Sequence, residues 1–238
     1  MDFYFSRFEH RRPPEPLSTP RWVRMIWQVL AVAALVLGAN YIYWRWTASL
    51  NTDALWYAIP LVLAETLAWI GTVLFTINLW QEKDPPPGVP PTEINDCLRA
   101  DEAVESRPIK VDLFIATYSE DVELVRLSIR DAMRMTYPGP LDYKVHVLDD
   151  GRRPEMKAVC EQEGANYITR QSNIGYKAGN LRNGLEHTDG DFLIICDADT
   201  RVFPTLLSHT LGYFRDPDVA WVRTPQWFFD LPEGADLA

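Results

Sequence analysis

Cysteine is scarce: the 238 residues hold only three, Cys97, Cys160 and Cys196. An odd number without metal-ligand spacing excludes a complete disulfide framework and a structural zinc site. The three read as free thiols in a reducing compartment, and Cys196, which ends an apolar run, reads as an inert core thiol. Positive charge is also short, with 23 Lys and Arg against 33 Asp and Glu and a net charge of -10. That balance argues against a nucleic-acid partner, which calls for basic patches. It does not exclude an anionic nucleotide, whose binding is decided by local groups and a divalent cation. No Ser/His/Asp triad and no Walker loop is present, and the four histidines are scattered along the chain.

The hydrophobic fraction of 47% is an average over two unlike parts. MIWQVLAVAALVLGANYIYW, Met25 to Trp44, has no charged residue, and about 20 such residues suffice for a helix to cross the hydrocarbon core. A second run, Leu55 to Trp80, is interrupted only by Glu65. Trp22, Trp27, Tyr41, Tyr43, Trp44, Trp46, Trp56, Tyr57 and Trp80 gather at the ends of the two runs, as an interfacial belt does. The first run is too long for a signal peptide and has no convincing small-residue cleavage site, so an uncleaved helix is expected. Arg7, Arg11, Arg12, Arg21 and Arg24 precede it, whereas the connection from Arg45 to Ala54 carries one arginine. The positive-inside rule therefore places the N-terminus and everything from Gln81 onward in the cytoplasm. Glu65 near mid-bilayer is costly and reads either as functional or as a neutral carboxyl hydrogen-bonded to a neighbouring helix.

KDPPPGVPP, Lys83 to Pro91, cannot continue a helix, because proline lacks an amide donor and clashes with the preceding turn. It reads as a stiff spacer, followed by a polar lead-in. Beyond it lie roughly 150 residues in all, enough for one core. VDLFIAT (Val111 to Thr117) predicts a buried strand and Glu120 to Met135 an amphipathic helix. Tyr143 to Gly151 predicts a strand entering a turn, Pro154 to Gly164 a helix, and ANYITR a short strand. Helices are expected over Tyr176 to His187 and Pro204 to Phe214, and strands over Asp191 to Asp199 and Val219 to Thr224. Alternation of this kind predicts a mostly parallel α/β sheet with helices on both faces, and a ligand beyond the carboxyl ends of the strands.

Acidic residues stand at those ends. Asp197 and Asp199 close the run FLIIC; strand alternation would aim both carboxylates one way. Such hard oxygens suit Mg²⁺ or Mn²⁺, although a solvated acidic turn has the same spelling. Asp149-Asp150-Gly151 ends another strand, either near the same cation or as a plain turn signal. Lys177, in a helix start after Asn173-Ile174-Gly175, can meet a phosphate as a point charge or stand exposed. Thr117, Tyr118, Ser119 and Glu120 leave the first strand and could grip a base and ribose or cap the next helix.

Taken in order, ATYSE, VLDDG, YITRQSN, YKAGNLRNGLEHTDGDFLIICDAD and LGYFRDPDVAWVRTPQWFF resemble the first half of a bacterial cellulose synthase catalytic subunit, a processive family 2 glycosyltransferase. The resemblance covers roughly Val111 to Pro232, and the two preceding spans match that architecture. It implies a GT-A fold that uses UDP-glucose and Mg²⁺ to extend a β-glucan. It also implies a multi-pass protein of the bacterial inner membrane with its transferase domain in the cytoplasm. The implied partners are a UDP-sugar donor and a growing polysaccharide acceptor, and the resemblance admits a periplasmic partner subunit. By the same resemblance Thr117, Tyr118, Glu120, Asp149 and Asp150 belong to the uridine pocket. Lys177 contacts the diphosphate, Asp197 faces the donor, and Asp199 together with Asp197 holds the metal.

The expected organisation is a basic N-terminus (1–24), a two-helix membrane region (25–80), a linker and lead-in (81–110), and the N-terminal part of the GT-A domain (111–238). The family's general base, the Asp of a Thr-Glu-Asp motif, and the Gln-x-x-Arg-Trp motif that holds the acceptor do not occur in this sequence. A truncated portion, inactive alone, is therefore expected. Thr200-Arg201-Val202-Phe203-Pro204 stands where the family has His-Val-Pro, and Arg223 where Gln precedes Thr-Pro. These departures keep open a 1,3- or mixed-linkage glucan, or an inactive membrane-anchored UDP-sugar-binding remnant.

Overall fold

The structure, a computed structural model, describes residues 20–81, 86 and 88–228. Arg7, Arg11 and Arg12, and part of the proline-rich spacer, lie outside the described residues. The chain forms two compact units.

The first unit is a pair of helices, α1 (Arg21–Thr47) and α2 (Leu55–Gln81), each of 27 residues. At 1.5 Å per residue each runs about 40 Å, more than the hydrocarbon core of about 30 Å. Both are long and apolar enough to cross a membrane, and no residue of α1 is buried within the chain. The two helices run antiparallel. Trp27 meets Trp80 near one end, with ring centroids 5.8 Å apart, and Trp46 donates to the Thr66 hydroxyl at 3.0 Å. Glu65 has a partner on the neighbouring helix: it accepts from the Arg45 guanidinium at 2.6 and 3.3 Å.

The second unit is built on four parallel strands, β1 (Ile109–Thr117), β2 (Leu141–Asp149), β3 (Asn166–Ile168) and β4 (Phe192–Asp197), in the order β3-β2-β1-β4. Central β1 is apolar almost throughout because both of its faces are covered. On one face Leu113, Ile115, Val145 and Val147 pack against α3 (Val122–Met133) and α4 (Pro154–Glu163), through Val125, Ile129, Met156 and Val159. Each such fully buried side chain contributes about 1.5–3 kcal/mol relative to exposure. On the opposite face α5 (Tyr176–Glu186) lays Gly184 against Phe114 and Leu148. Helix ends follow local chemistry: Asp121 caps α3 by accepting from the Glu123 amide, Pro154 opens α4, and Gly164 closes it at φ 81. The lead-in joins this unit, with Ile94 and Cys97 buried and Cys97 packed among Ile109, Val111, Leu207 and Leu211.

Two expectations are corrected. The helix read over Pro204 to Phe214 is a short α6 (Leu206–Thr210) followed by a 3₁₀ turn, Leu211–Arg215. The strand read over Val219 to Thr224 does not form: among the described residues nothing pairs with it, and Trp221 is 75% exposed. Apolar alternation favours a strand only when a neighbouring strand takes its amides and carbonyls.

Candidate active site

Strand order reverses direction between β1 and β4, since β2 and β3 follow on one side of β1 and β4 pairs on the other. In open parallel sheets a ligand crevice opens outside the carboxyl ends at such a point. The register brings the expected residues there: Thr117 lies beside Asp149, and Ala116 beside Asp197. With strands about 4.8 Å apart, the ends of β2 and β4 flank the end of β1 at about 10 Å from each other.

The exit of β1 is held by Glu120. Its Oε2 accepts from the Thr117 hydroxyl at 2.7 Å and from the amides of Tyr118 at 2.7 Å and Ser119 at 3.1 Å. Burial acts to raise the Glu120 pKa, but these hydrogen bonds together outweigh it and hold the group below the usual carboxylate range. Tyr118 is left exposed. The turn after β2 crowds against it: a side chain at Gly151 would meet the Tyr118 carbonyl at 2.3 Å, so only glycine permits the approach.

Asp149 is fully buried and serves its own turn. Its carboxylate accepts from the amides of Gly151 and Arg153 at 3.0 and 2.7 Å, from Arg153 Nε at 3.2 Å, and from the Tyr167 hydroxyl at 3.0 Å. Asp150 accepts both arms of Arg170, at 2.6 and 2.7 Å. Sequence reading missed both arginines. Arg153 also donates to Thr117 Oγ1 at 2.8 Å and to the Glu120 carbonyl at 2.6 Å, tying the β1 and β2 exits together. Arg153 stands two positions after the Asp-Asp-Gly motif, where a cation was the available signal, whereas Arg170 lies 20 positions beyond Asp150, within YITRQSN.

Asp197 is the last residue of β4, and Asp199 follows in the turn beyond it, so strand alternation does not govern the second carboxylate. Both are exposed. Between them Ala198 is buried, and its carbonyl accepts from the buried Ser128 hydroxyl of α3 at 2.8 Å. Arg201 donates to Asp131 of α3 at 2.6 Å, fixing the far side of the turn. Lys177, in the first turn of α5, pairs with Asp197. Asp199 has no ion pair or side-chain hydrogen bond among the described residues. Cys196 beneath the turn is buried, and desolvation pushes its thiol up to about 12. A groove of about 450 Å³ lined by Cys97, Arg107, Asp191, Phe192 and Phe214 lies by the start of β4 and includes none of these residues.

A parallel sheet with acidic strand ends at its switch point and a lysine at the facing helix start agrees with the GT-A fold that the resemblance implies. The family model described as glycosyl transferase family 2 matches residues 112–234, and the chain belongs to that family. Over 205 residues it is 36% identical to the cellulose synthase catalytic subunit (UDP-forming) of Pseudomonas fluorescens strain SBW25, across 84% of this chain and 26% of that protein. It is 42% identical over 120 residues to cellulose synthase 1 of Komagataeibacter xylinus, across 50% of this chain and 8% of that protein. The resemblance read from the motifs is thus borne out, while the chain spans about a quarter or less of these relatives. A solved mannosyltransferase of Pyrobaculum calidifontis in complex with GDP-Man and Mn²⁺ aligns at a TM-score of 0.44 and 19% identity, covering 58% of this chain and 37% of that one.

Proposed function

We propose that this chain carries the donor-binding part of a membrane-bound inverting glycosyltransferase that moves glucose from UDP-glucose to a growing β-glucan of the cellulose type. One observation carries the reading: the β1 and β4 ends and the start of α5 converge at the switch point, with Lys177 meeting Asp197 there.

Thr117, Tyr118 and Glu120 frame the uridine side, with exposed Tyr118 available to the base. Asp149 and Asp150 shape that pocket's floor through Arg153 and Arg170. Lys177 receives the diphosphate, helped by the positive end of α5. Asp197 and Asp199 fit a divalent cation: both are exposed hard-oxygen donors, and Mg²⁺ takes one or two carboxylates and completes its shell with water and phosphate. Bound there, the cation supplies Lewis-acid stabilisation of the departing UDP. The acceptor hydroxyl needs a general base on the other face of the sugar. The expected Thr-Glu-Asp motif is absent from this sequence, so the chain by itself binds donor and makes no polymer. In this reading α1 and α2 cross the bacterial inner membrane as part of a multi-pass protein and the transferase unit faces the cytoplasm, which the arginines before α1 support.

Calorimetric titration of the detergent-held chain with UDP tests the site. Binding is expected to need Mg²⁺ or Mn²⁺ and to weaken in Asp199→Ala at least roughly tenfold, the loss that even outer partners of a metal ligand give. Equal affinity with metal and with chelator would sink the assignment.

A further inference from the structure

We infer that Arg170 is a positioning residue of the donor site, acting on the diphosphate through Lys177 and not by touching the nucleotide. The inference rests on the donor-site reading above.

Arg170 follows β3, and only 10% of its side chain is exposed. Its guanidinium makes four short contacts to two separate pieces of chain. Nε and Nη2 donate to the two Asp150 oxygens at the end of β2, at 2.6 and 2.7 Å. Nη1 donates to the Ile174 carbonyl at 2.6 Å and Nη2 to the Tyr176 carbonyl at 2.8 Å. The first carbonyl lies in the loop before α5 and the second on the first residue of α5, directly before Lys177. One planar fork therefore links the base side of the site to its phosphate side, a geometry that a lysine ammonium cannot reproduce.

The loop needs such a clamp. Gly175 and Tyr176 both take left-handed backbone, at φ 77 and 49, and for tyrosine that conformation is strained. Asn173 adds a second tether, donating to the Asp150 carbonyl at 3.2 Å, and Arg152 holds Asn173 Oδ1 at 2.9 Å. The loop folds so closely over the first turn of α5 that a methyl group at Gly179 would lie 2.1 Å from the Ile174 carbonyl and 2.5 Å from Arg170 Nη1. Glycine at 179 and arginine at 170 are thus two halves of one contact. Lys177 follows Tyr176 directly and reaches Asp197 from this held backbone. With the clamp loosened, the ammonium no longer has a fixed place above the end of β4.

The test uses the full chain in detergent, with Arg170→Lys and Gly179→Ala disturbing the same contact from opposite sides. Hydrogen exchange of the 174–180 amides should quicken in both variants while β1 and α3 stay protected. UDP affinity should fall about tenfold, as expected for a displaced charge-assisted contact, and uridine affinity, measured by competition, should fall less. Arg170→Lys combined with Lys177→Ala should bind UDP no more weakly than Lys177→Ala alone. Equal losses for uridine and UDP, additive losses in the double variant, or unchanged loop exchange would each overturn the inference. Wild-type chain that binds UDP equally with and without metal would instead bring down the donor-site reading itself.

Discussion

Arg45, near the end of α1, donates from Nε to Glu65 Oε2 of α2 at 2.6 Å, and the same guanidinium donates to the Ser49 hydroxyl at 2.8 Å. A lone carboxylate along a membrane helix is costly; a paired one sets the register of the two helices against each other. Removing one partner should therefore hurt more than removing both. Arg45→Met is expected to lower the yield of folded, protease-resistant membrane protein. Arg45→Met with Glu65→Leu is expected to recover most of it. A double variant worse than either single one would show that the pair does more than hold register.

The Asp-Ala-Asp turn hangs on one buried hydroxyl. Ser128→Ala leaves the Ala198 carbonyl without its donor, at a cost of about 1–3 kcal/mol. Chemical denaturation should report that loss, and the metal dependence of UDP binding should weaken in the same variant.

Lys177 and Asp197 pair with each other directly. Asp197→Asn is expected to free the lysine and to strengthen metal-free UDP binding up to about fivefold, the scale of an exposed ion pair. The gain on adding Mg²⁺ should shrink at the same time. Titration with and without chelator separates the two effects.

Glu120 supplies a pH signature. Its folded pKa lies below the usual value, so its contribution to the β1 exit is fully present above the unfolded carboxylate value of about 4.3. That contribution fades as pH falls from there through the lower, folded value. Urea midpoints measured across this acid range should fall less steeply in Glu120→Gln than in the parent.

The thiols are predicted to be silent. Burial is the main cause that pushes Cys97 up to about 11 and Cys160 and Cys196 up to about 12. No thiol should react with Ellman's reagent in the folded chain, and all three should react in denaturant.

Most of the architecture was legible in the residue order. Uncharged runs of helix length gave α1 and α2. Alternation of apolar runs with amphipathic stretches gave four parallel strands and the helices between them, within a few residues of their ends. The segment Val219 to Thr224 misled, because its pattern states a preference for pairing and cannot provide the neighbour. Thr117, Asp149 and Asp197 were legible as strand-end residues. Their supports were not: Ser128 meets Ala198 across 70 positions, and Arg153 meets Thr117 across 36.

What the sequence by itself determined are properties with a local period or a local composition: helices long enough for a membrane, the α/β alternation, and the acidic strand ends. Which strand lies beside which, and therefore which acids share a rim, was decided only by the tertiary structure. So was the engagement of Asp149, Asp150 and Glu65 by Arg153, Arg170 and Arg45. A carboxylate's partner is chosen by distance in the folded chain, and that distance depends on how every intervening element packs.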